Sequence, residues 1–216
     1  MQVNSLEGHS FSGKTTMATT LATDPSVELI CGYTFYSSKL GVDPLPGPPN
    51  SLAEAKLCFD YFLELEYHRS QDSVNAARLG RIVLQDKSAI SLYAYQRTRS
   101  AYDSQSIEVT VPDYALERVH EAIIRGDVIL PSTVGIMACA TEQVYEARKD
   151  RRGPVRQNNI FNNWRFSQLL TRATFESALL FVGDGNRIKE YESTDESSNF
   201  AEIYGDLAQR IGIALR

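Results

Sequence analysis

The chain has 216 residues, 43% hydrophobic and 23% charged, with Lys+Arg 22 against Asp+Glu 27 and a formal net charge of −5. That length suits one domain, residues 1–216, with a substantial core, and the acidic balance argues against a nucleic acid or an anionic membrane surface as partner. Cys31, Cys58 and Cys139 stand far apart among apolar neighbours, no apolar run nears the roughly 20 residues that span a bilayer, and the N-terminus enters a glycine loop too early for a cleaved signal. A reduced, cytoplasmic setting is therefore expected.

In chain order, QVNSL (Gln2 to Leu6) is a short first strand, and EGHSFSGKTT (Glu7 to Thr16) follows it. From Gly8 to Gly13, Lys14 and Thr15 this stretch fits G-x-x-x-x-G-K-[ST], the Walker A loop, in which glycine-permitted backbone wraps its N–H groups around a polyphosphate. Thr15 to Ala22 continues as a helix whose positive N-terminus faces that anion. Ser26 to Phe35 reads as a second strand and Gly41 to Asn50 as a Gly/Pro-rich loop. Ser51 with Glu54 forms a capping box for a long helix with Leu52, Ala55, Phe59, Phe62 and Leu63 at helical spacing, stopped by Gly80.

Arg81 to Asp86 is the clearest buried strand, Ser88 to Gln96 a helix, and Ser100 to Thr110 a polar loop. Asp113 is expected to cap a further helix closed by Gly126, with an apolar strand from about Gly135 and a charged helix directly after it. Asn163 to Leu180 is helical by periodicity, Arg187 to Ser193 alternates as a last strand, and Asn199 to Leu215 is a closing amphipathic helix. Strands alternating with helices predict an α/β fold of three layers: a five-stranded, mostly parallel sheet covered on both faces, with ligands at the carboxyl ends of its strands.

A GTP switch would carry Asn/Thr-Lys-x-Asp, which is absent, and an ATP-hydrolysing motor usually follows its magnesium-side aspartate with a glutamate. Here the pair is Asp86-Lys87, and a lysine there cannot act as base but can hold an anionic second substrate. The pattern therefore points to transfer rather than hydrolysis.

Three patches are similar to the thymidylate kinase-like nucleoside and nucleotide kinases: Glu7 to Thr16; Gly80 to Gln96, with Ala94, Tyr95 and Gln96 in order; and Pro131 to Gly153, which looks like that family's strand, short helix and arginine-bearing lid, here about 146–162. The resemblance implies ATP and Mg²⁺ as cofactors. It also implies a nucleotide site at Gly8, His9, Ser10, Phe11, Ser12, Gly13, Lys14, Thr15 and Thr16, with Thr15 and Asp86 on the metal. Lys14, Asp86, Arg148 and Arg152 become catalytic candidates, with Arg151 close behind, and Lys87, Arg69, Tyr33, Phe62, Tyr95 and Gln96 substrate-binding ones. Tyr36, Phe35 and Tyr67 are further stacking candidates, while His9, His68 and His120 show no metal-site grouping.

The sequence also departs from that family. Ser10 and Phe11 stand where its loop has aspartate and glycine, Lys87 replaces the arginine of Asp-Arg, and ungapped counting puts Leu65 at the acceptor arginine, with Arg69 or His68 as substitutes a turn later. No carboxylate follows the second strand at Gly32-Tyr33-Thr34, which favours a nucleoside monophosphate as the small-molecule phosphoryl acceptor, since it is already an ionised nucleophile. The alternatives are a deoxynucleoside or other small-molecule kinase, or a catalytically lapsed nucleotide-binding regulatory protein. A homodimer is compatible with the sequence.

Overall fold

The computed structural model describes residues 2–42, 45–102, 111–152 and 160–214. Among them lie five strands, β1 (Val3–Gly8), β2 (Val27–Ile30), β3 (Ile82–Asp86), β4 (Thr133–Cys139) and β5 (Ile188–Ser193), in one sheet of order β2-β3-β1-β4-β5. Every neighbouring pair is parallel, so the sheet is wholly rather than mostly so. The helices are α1 (Lys14–Leu21), α2 (Tyr33–Lys39), α3 (Leu52–Arg78), α4 (Ala89–Tyr102), α5 (Pro112–Arg125), α6 (Glu142–Arg151), α7 (Trp164–Val182) and α8 (Ser197–Ile211).

Parallel strands buried on both faces need apolar cover on each side. On one face Met17, Ala18 and Leu21 of α1 and Ile203, Leu207 and Ile211 of α8 pack on Leu6, Leu84, Met137 and Tyr191. On the other, Leu65 and Ala76 of α3 cover Val3, Ile30 and Val83, while Ile90 of α4 and Ala178 of α7 cover Val134, Ile136 and Ile188. A satellite core joins α3, α4 and α5 through Phe59, Leu63, Tyr93 and Val119. Among the described residues no helix is long and apolar enough to cross a membrane.

Several local expectations hold in atomic detail. Ser51 Oγ accepts the Glu54 N–H at 3.2 Å, although Glu54 reaches back to the Asn50 N–H rather than to that of Ser51. Gly126 closes α5 in the left-handed region at φ 77°.

Others need correction. The second strand stops at Ile30, and Tyr33–Lys39 turns into α2, because the aromatic run packs on α3 instead of extending the sheet. Asp113 is not the cap of α5: Val111 takes that position with Pro112 at the first turn, where its missing N–H costs nothing, and Asp113 sits within that turn. Helix α4 runs on to Tyr102, while 103–110 lie outside the described residues. So do 153–159 of the expected lid, Arg156 included, which leaves Glu146 to Arg152 on α6 and its end.

Gly135, at the centre of the sheet, has no room for a side chain. A Cβ there would lie 2.9 Å from both Leu6 Cδ2 and Leu207 Cδ2. Gly135→Ala should therefore cost about 1–3 kcal/mol through overpacking. Thermal melts should show Tm falling by roughly 2–4 °C for each kcal/mol.

Candidate functional site

Because β1 lies between β3 and β4, the loop leaving its carboxyl end is flanked by the ends of both neighbours. Gly8 makes the exit possible: at φ 132° it passes so close to β4 that a Cβ would stand 2.1 Å from the Met137 carbonyl oxygen. Gly13, left-handed at φ 85°, turns the loop into α1. The result is a row of backbone N–H groups at the start of a helix, which suits an anion.

Lys14 and Thr15 converge on one carboxylate. Lys14 Nζ lies 3.4 Å from Asp86 Oδ1, and Thr15 Oγ1 donates to Asp86 Oδ2 at 3.2 Å. Asp86 Oδ1 is buried and accepts no hydrogen bond. A carboxylate oxygen free of hydrogen bonds and ion-paired only with the Lys14 ammonium, beside a hydroxyl, is an oxygen donor set that fits Mg²⁺. Among the described residues no group of three or more His, Cys, Asp and Glu could hold a metal by itself, so phosphate oxygens and water would complete the shell.

His9 is a buried strut of the loop. The Cys139 backbone N–H donates to its Nε2 at 3.0 Å, which places the proton on Nδ1, against the Ser10 carbonyl at 2.5 Å. Burial lowers its pKa to about 4, against the Ser10 hydrogen bond and aided by Lys14 and Arg148. Ser12 Oγ donates to the His9 carbonyl at 3.0 Å, and Tyr145 and Trp164 enclose the ring at 5.8 and 6.2 Å. Phe11 is left-handed at φ 66°, which for a side chain with Cβ costs about 1–2 kcal/mol. Its ring meets Tyr145 edge-on at 5.3 Å.

Arg148 braces this loop from α6. It donates to the Phe11 carbonyl at 3.1 Å, Ser193 Oγ at 2.8 Å, the Thr194 carbonyl at 2.5 Å and Asp195 Oδ1 at 2.9 Å. Arg151 pairs with the other Asp195 oxygen. Arg152 instead lies exposed with its guanidinium 5.7 Å from the Phe11 ring. Of the arginines proposed from sequence, Arg148 is thus committed to protein acceptors while Arg152 faces the loop.

A cleft of about 1800 Å³ runs from the loop to α3 and α4. Ligand pockets usually span roughly 300–1,000 Å³, so this one exceeds what a single small ligand fills. Tyr33, Phe62, Lys87, Tyr95 and Gln96 line it, together with Ser10 and Thr16. Lys87 is left-handed at φ 67°, and burial together with Lys14 pushes its ammonium down to about 8, opposed by Asp86 and Glu7. Phe35 is 55% exposed, Tyr36 is buried with its hydroxyl on Asp72, and Tyr67 packs in the satellite core, so none of these three faces the cleft.

Arg69 is the main correction. It does not line the cleft but is fully buried behind it, donating to the Cys31 carbonyl at 2.9 Å, the Asp86 carbonyl at 2.9 Å and the Lys87 carbonyl at 2.7 Å, and paired with Glu66. A phosphate in the cleft cannot reach it. His68 is half exposed beside Glu64 and offers no replacement.

Sequence reasoning missed several groups. Glu7, fully buried, accepts from the hydroxyls of Ser88 and Ser91 and fastens β1 to the start of α4. Arg99 lines the cleft, its guanidinium on the Tyr95 hydroxyl at 3.2 Å, one turn beyond a tyrosine that the motif did single out. Asp195 and Ser193 carry no motif signal, since their meaning comes from Arg148.

A thymidylate kinase from Candida albicans superposes with a TM-score of 0.66 at 17% sequence identity, over 97% of this chain and 90% of that one. The fold is thymidylate kinase-like. NadR protein, solved in complex with NR and with NAD and AMP-PNP, superposes with TM-scores of 0.64 and 0.62 at 13% identity. This chain is covered in full there but spans only 53% and 51% of the NadR chains. No protein-family model and no curated protein matches the sequence. Within the thymidylate kinase-like fold, the loop at the end of β1 and Asp86 at the end of β3 occupy the carboxyl edge where such sheets bind ligands.

The strut predicts a pH dependence. Unfolded histidine titrates near 6.5 and His9 near 4, so the unfolded chain binds the proton first and stability is lost as pH falls from 6.5 to 4, with no further loss below. The full effect is up to about 3 kcal/mol. Thermal melts of His9→Gln across this range should lack that component, so the gap in Tm to the native chain narrows toward pH 4.

Proposed function

We propose that this chain is a Mg²⁺-dependent phosphotransferase that moves the γ-phosphoryl group of ATP to an anionic acceptor, a nucleoside monophosphate. The observation that carries the reading is the convergence of Lys14 and Thr15 on Asp86 in a cleft that also presents Lys87, the next residue along the chain, and Arg99. Among the described lining residues the only carboxylates are Asp86, engaged with Lys14 and Thr15, and Asp195, engaged with Arg148 and Arg151. A neutral hydroxyl would find no uncommitted base there, whereas a phosphate needs none.

The loop N–H groups and Lys14 would hold the β- and γ-phosphates, and Thr15 with Asp86 would hold the metal, which neutralises charge on the phosphate oxygens. Lys87 would bind the acceptor phosphate as a point charge, without the fork of an arginine. Tyr33 and Phe62, edge to face at 5.8 Å, form a wall for a planar base, with Gln96 beyond it. The Gln96 carbonyl oxygen already accepts the Val111 N–H at 3.2 Å, so its NH₂ group is the part left for a ligand. Arg152 would meet the transferring group, where a guanidinium offsets developing charge.

Purified protein with ATP, Mg²⁺ and a panel of nucleosides and monophosphates tests this. ADP formed only when a monophosphate is present is the expected result; nucleotide binding without any acceptor-dependent turnover would instead mark a regulatory binding protein. Lys14→Ala should abolish transfer with the fold retained by circular dichroism. Arg152→Ala should lower kcat by about 10²–10³ without moving Tm. Arg148→Ala, by contrast, should lower Tm, because it leaves the Phe11 and Thr194 carbonyls and Asp195 without their shared donor.

A further inference from the structure

Arg69 is a fully buried cation with no access to ligand, in a chain that builds its site elsewhere. Its three carbonyl partners are the last peptides of two strands: Cys31 just beyond β2, and Asp86 and Lys87 at the end of β3. Glu66, one helical turn before it on α3, is equally buried and supplies the counter-charge. The Tyr33 ring lies under the guanidinium at 4.6 Å, and its hydroxyl donates to Glu66 Oε2 at 2.9 Å. The same ring packs edge to face against Phe62 in the cleft wall.

We propose that Arg69 is a positioning residue for phosphoryl transfer: its guanidinium fixes the Asp86 and Lys87 peptides, and so aims the metal-side carboxylate and the acceptor-side ammonium from behind the sheet. Lys87 shows why such a clamp is needed. A residue with a Cβ rarely stays left-handed unless its surroundings over-determine it, and here its carbonyl is bound by Arg69 while its N–H donates to the Leu6 carbonyl of β1 at 2.9 Å. Lysine at position 69 would keep a charge near Glu66 but lose the planar fork that spans three carbonyls. The same guanidinium ties Tyr33, and with it the acceptor wall, to the strand that carries Asp86. The metal-side and acceptor-side halves are thereby set by one buried group.

The inference rests on the phosphotransfer reading, and its test separates the two. Arg69→Lys is compared with the native chain, and the charge-neutral pair Glu66→Leu with Arg69→Met serves as a second variant, since replacing a buried ion pair by apolar residues often preserves folding. The first readout is the gain in affinity for a non-hydrolysable ATP analogue on adding Mg²⁺, which requires no acceptor. It should shrink by about 10-fold or more, as for other groups that orient metal ligands, while affinity without Mg²⁺ stays unchanged. The second is kinetic: kcat should fall by about 10²-fold, as for a small misplacement of reacting groups, with KM for ATP in the presence of Mg²⁺ rising in step with the lost magnesium gain. The loss should multiply only in part with that of Lys87→Ala, because the clamp acts through that ammonium as well as through Asp86. Variants that fold and keep the full magnesium gain would overturn the inference even where turnover is absent, as would independent, fully multiplying losses with Lys87→Ala. A native chain that shows the magnesium gain but never makes ADP would defeat the kinase reading and leave the clamp standing.

Discussion

A parallel sheet brings its strand ends together along one edge, and everything here depends on β1 being the middle strand of five. Only from that place can the turn from Gly8 to Gly13 and the first residues of α1 meet Asp86 from β3 on one side and Cys139 from β4 on the other. The consequence is mutual restraint. Lys14 and Thr15 are aimed by the loop, Asp86 by its strand and Arg69, and the loop itself by His9, Arg148 and the close passage of Gly8 past Met137. No one of these contacts is exceptional alone. Together they hold a group of polar atoms facing inward before any ligand arrives, and such preorganisation costs no rearrangement when a charge is bound.

How much of this was legible in the sequence follows the range over which each force acts. The loop, the Ser51 cap and the Gly126 stop depend on residues within one or two turns, and they were found where the chain put them. Asp86 was legible because it ends an apolar strand directly before a helix. Helix α2 was not, since Tyr33–Lys39 carries strand-like aromatics and becomes helical through packing on α3. Arg69 was assigned by its distance along a helix, and that distance was nearly right. What spacing could not give is depth: the side chain points behind β3 rather than over it, drawn there by Glu66 and three carbonyls. The bonds that brace Arg148 were not legible for a similar reason, because Ser193, Thr194 and Asp195 lie more than forty residues away in sequence and only the sheet brings them under α6.

The departures from the thymidylate kinase-like pattern have a common physical character. Phe11 and Lys87 are the only residues other than glycine with positive φ among those described, and both sit on the rim of the site. Each has its carbonyl clamped by a buried or half-buried arginine, Arg148 for Phe11 and Arg69 for Lys87. A glycine would adopt either conformation freely; a larger residue has to be held. At Phe11, where the family pattern has glycine, this chain has thus exchanged backbone permissiveness for side-chain bracing and gains an aromatic face beneath Arg152; at Lys87, where the pattern has arginine, the braced backbone keeps a cation beside Asp86.

Trp164 is the sole tryptophan of the chain, and it stands at the head of α7 with Tyr145 at 5.4 Å and the His9 ring at 6.2 Å. Its emission, excited at the red edge where tyrosine no longer absorbs, therefore arises from a single address directly behind the turn from Gly8 to Gly13. The protein carries its own optical gauge of that turn, and occupancy of the cleft can be followed without attaching a dye.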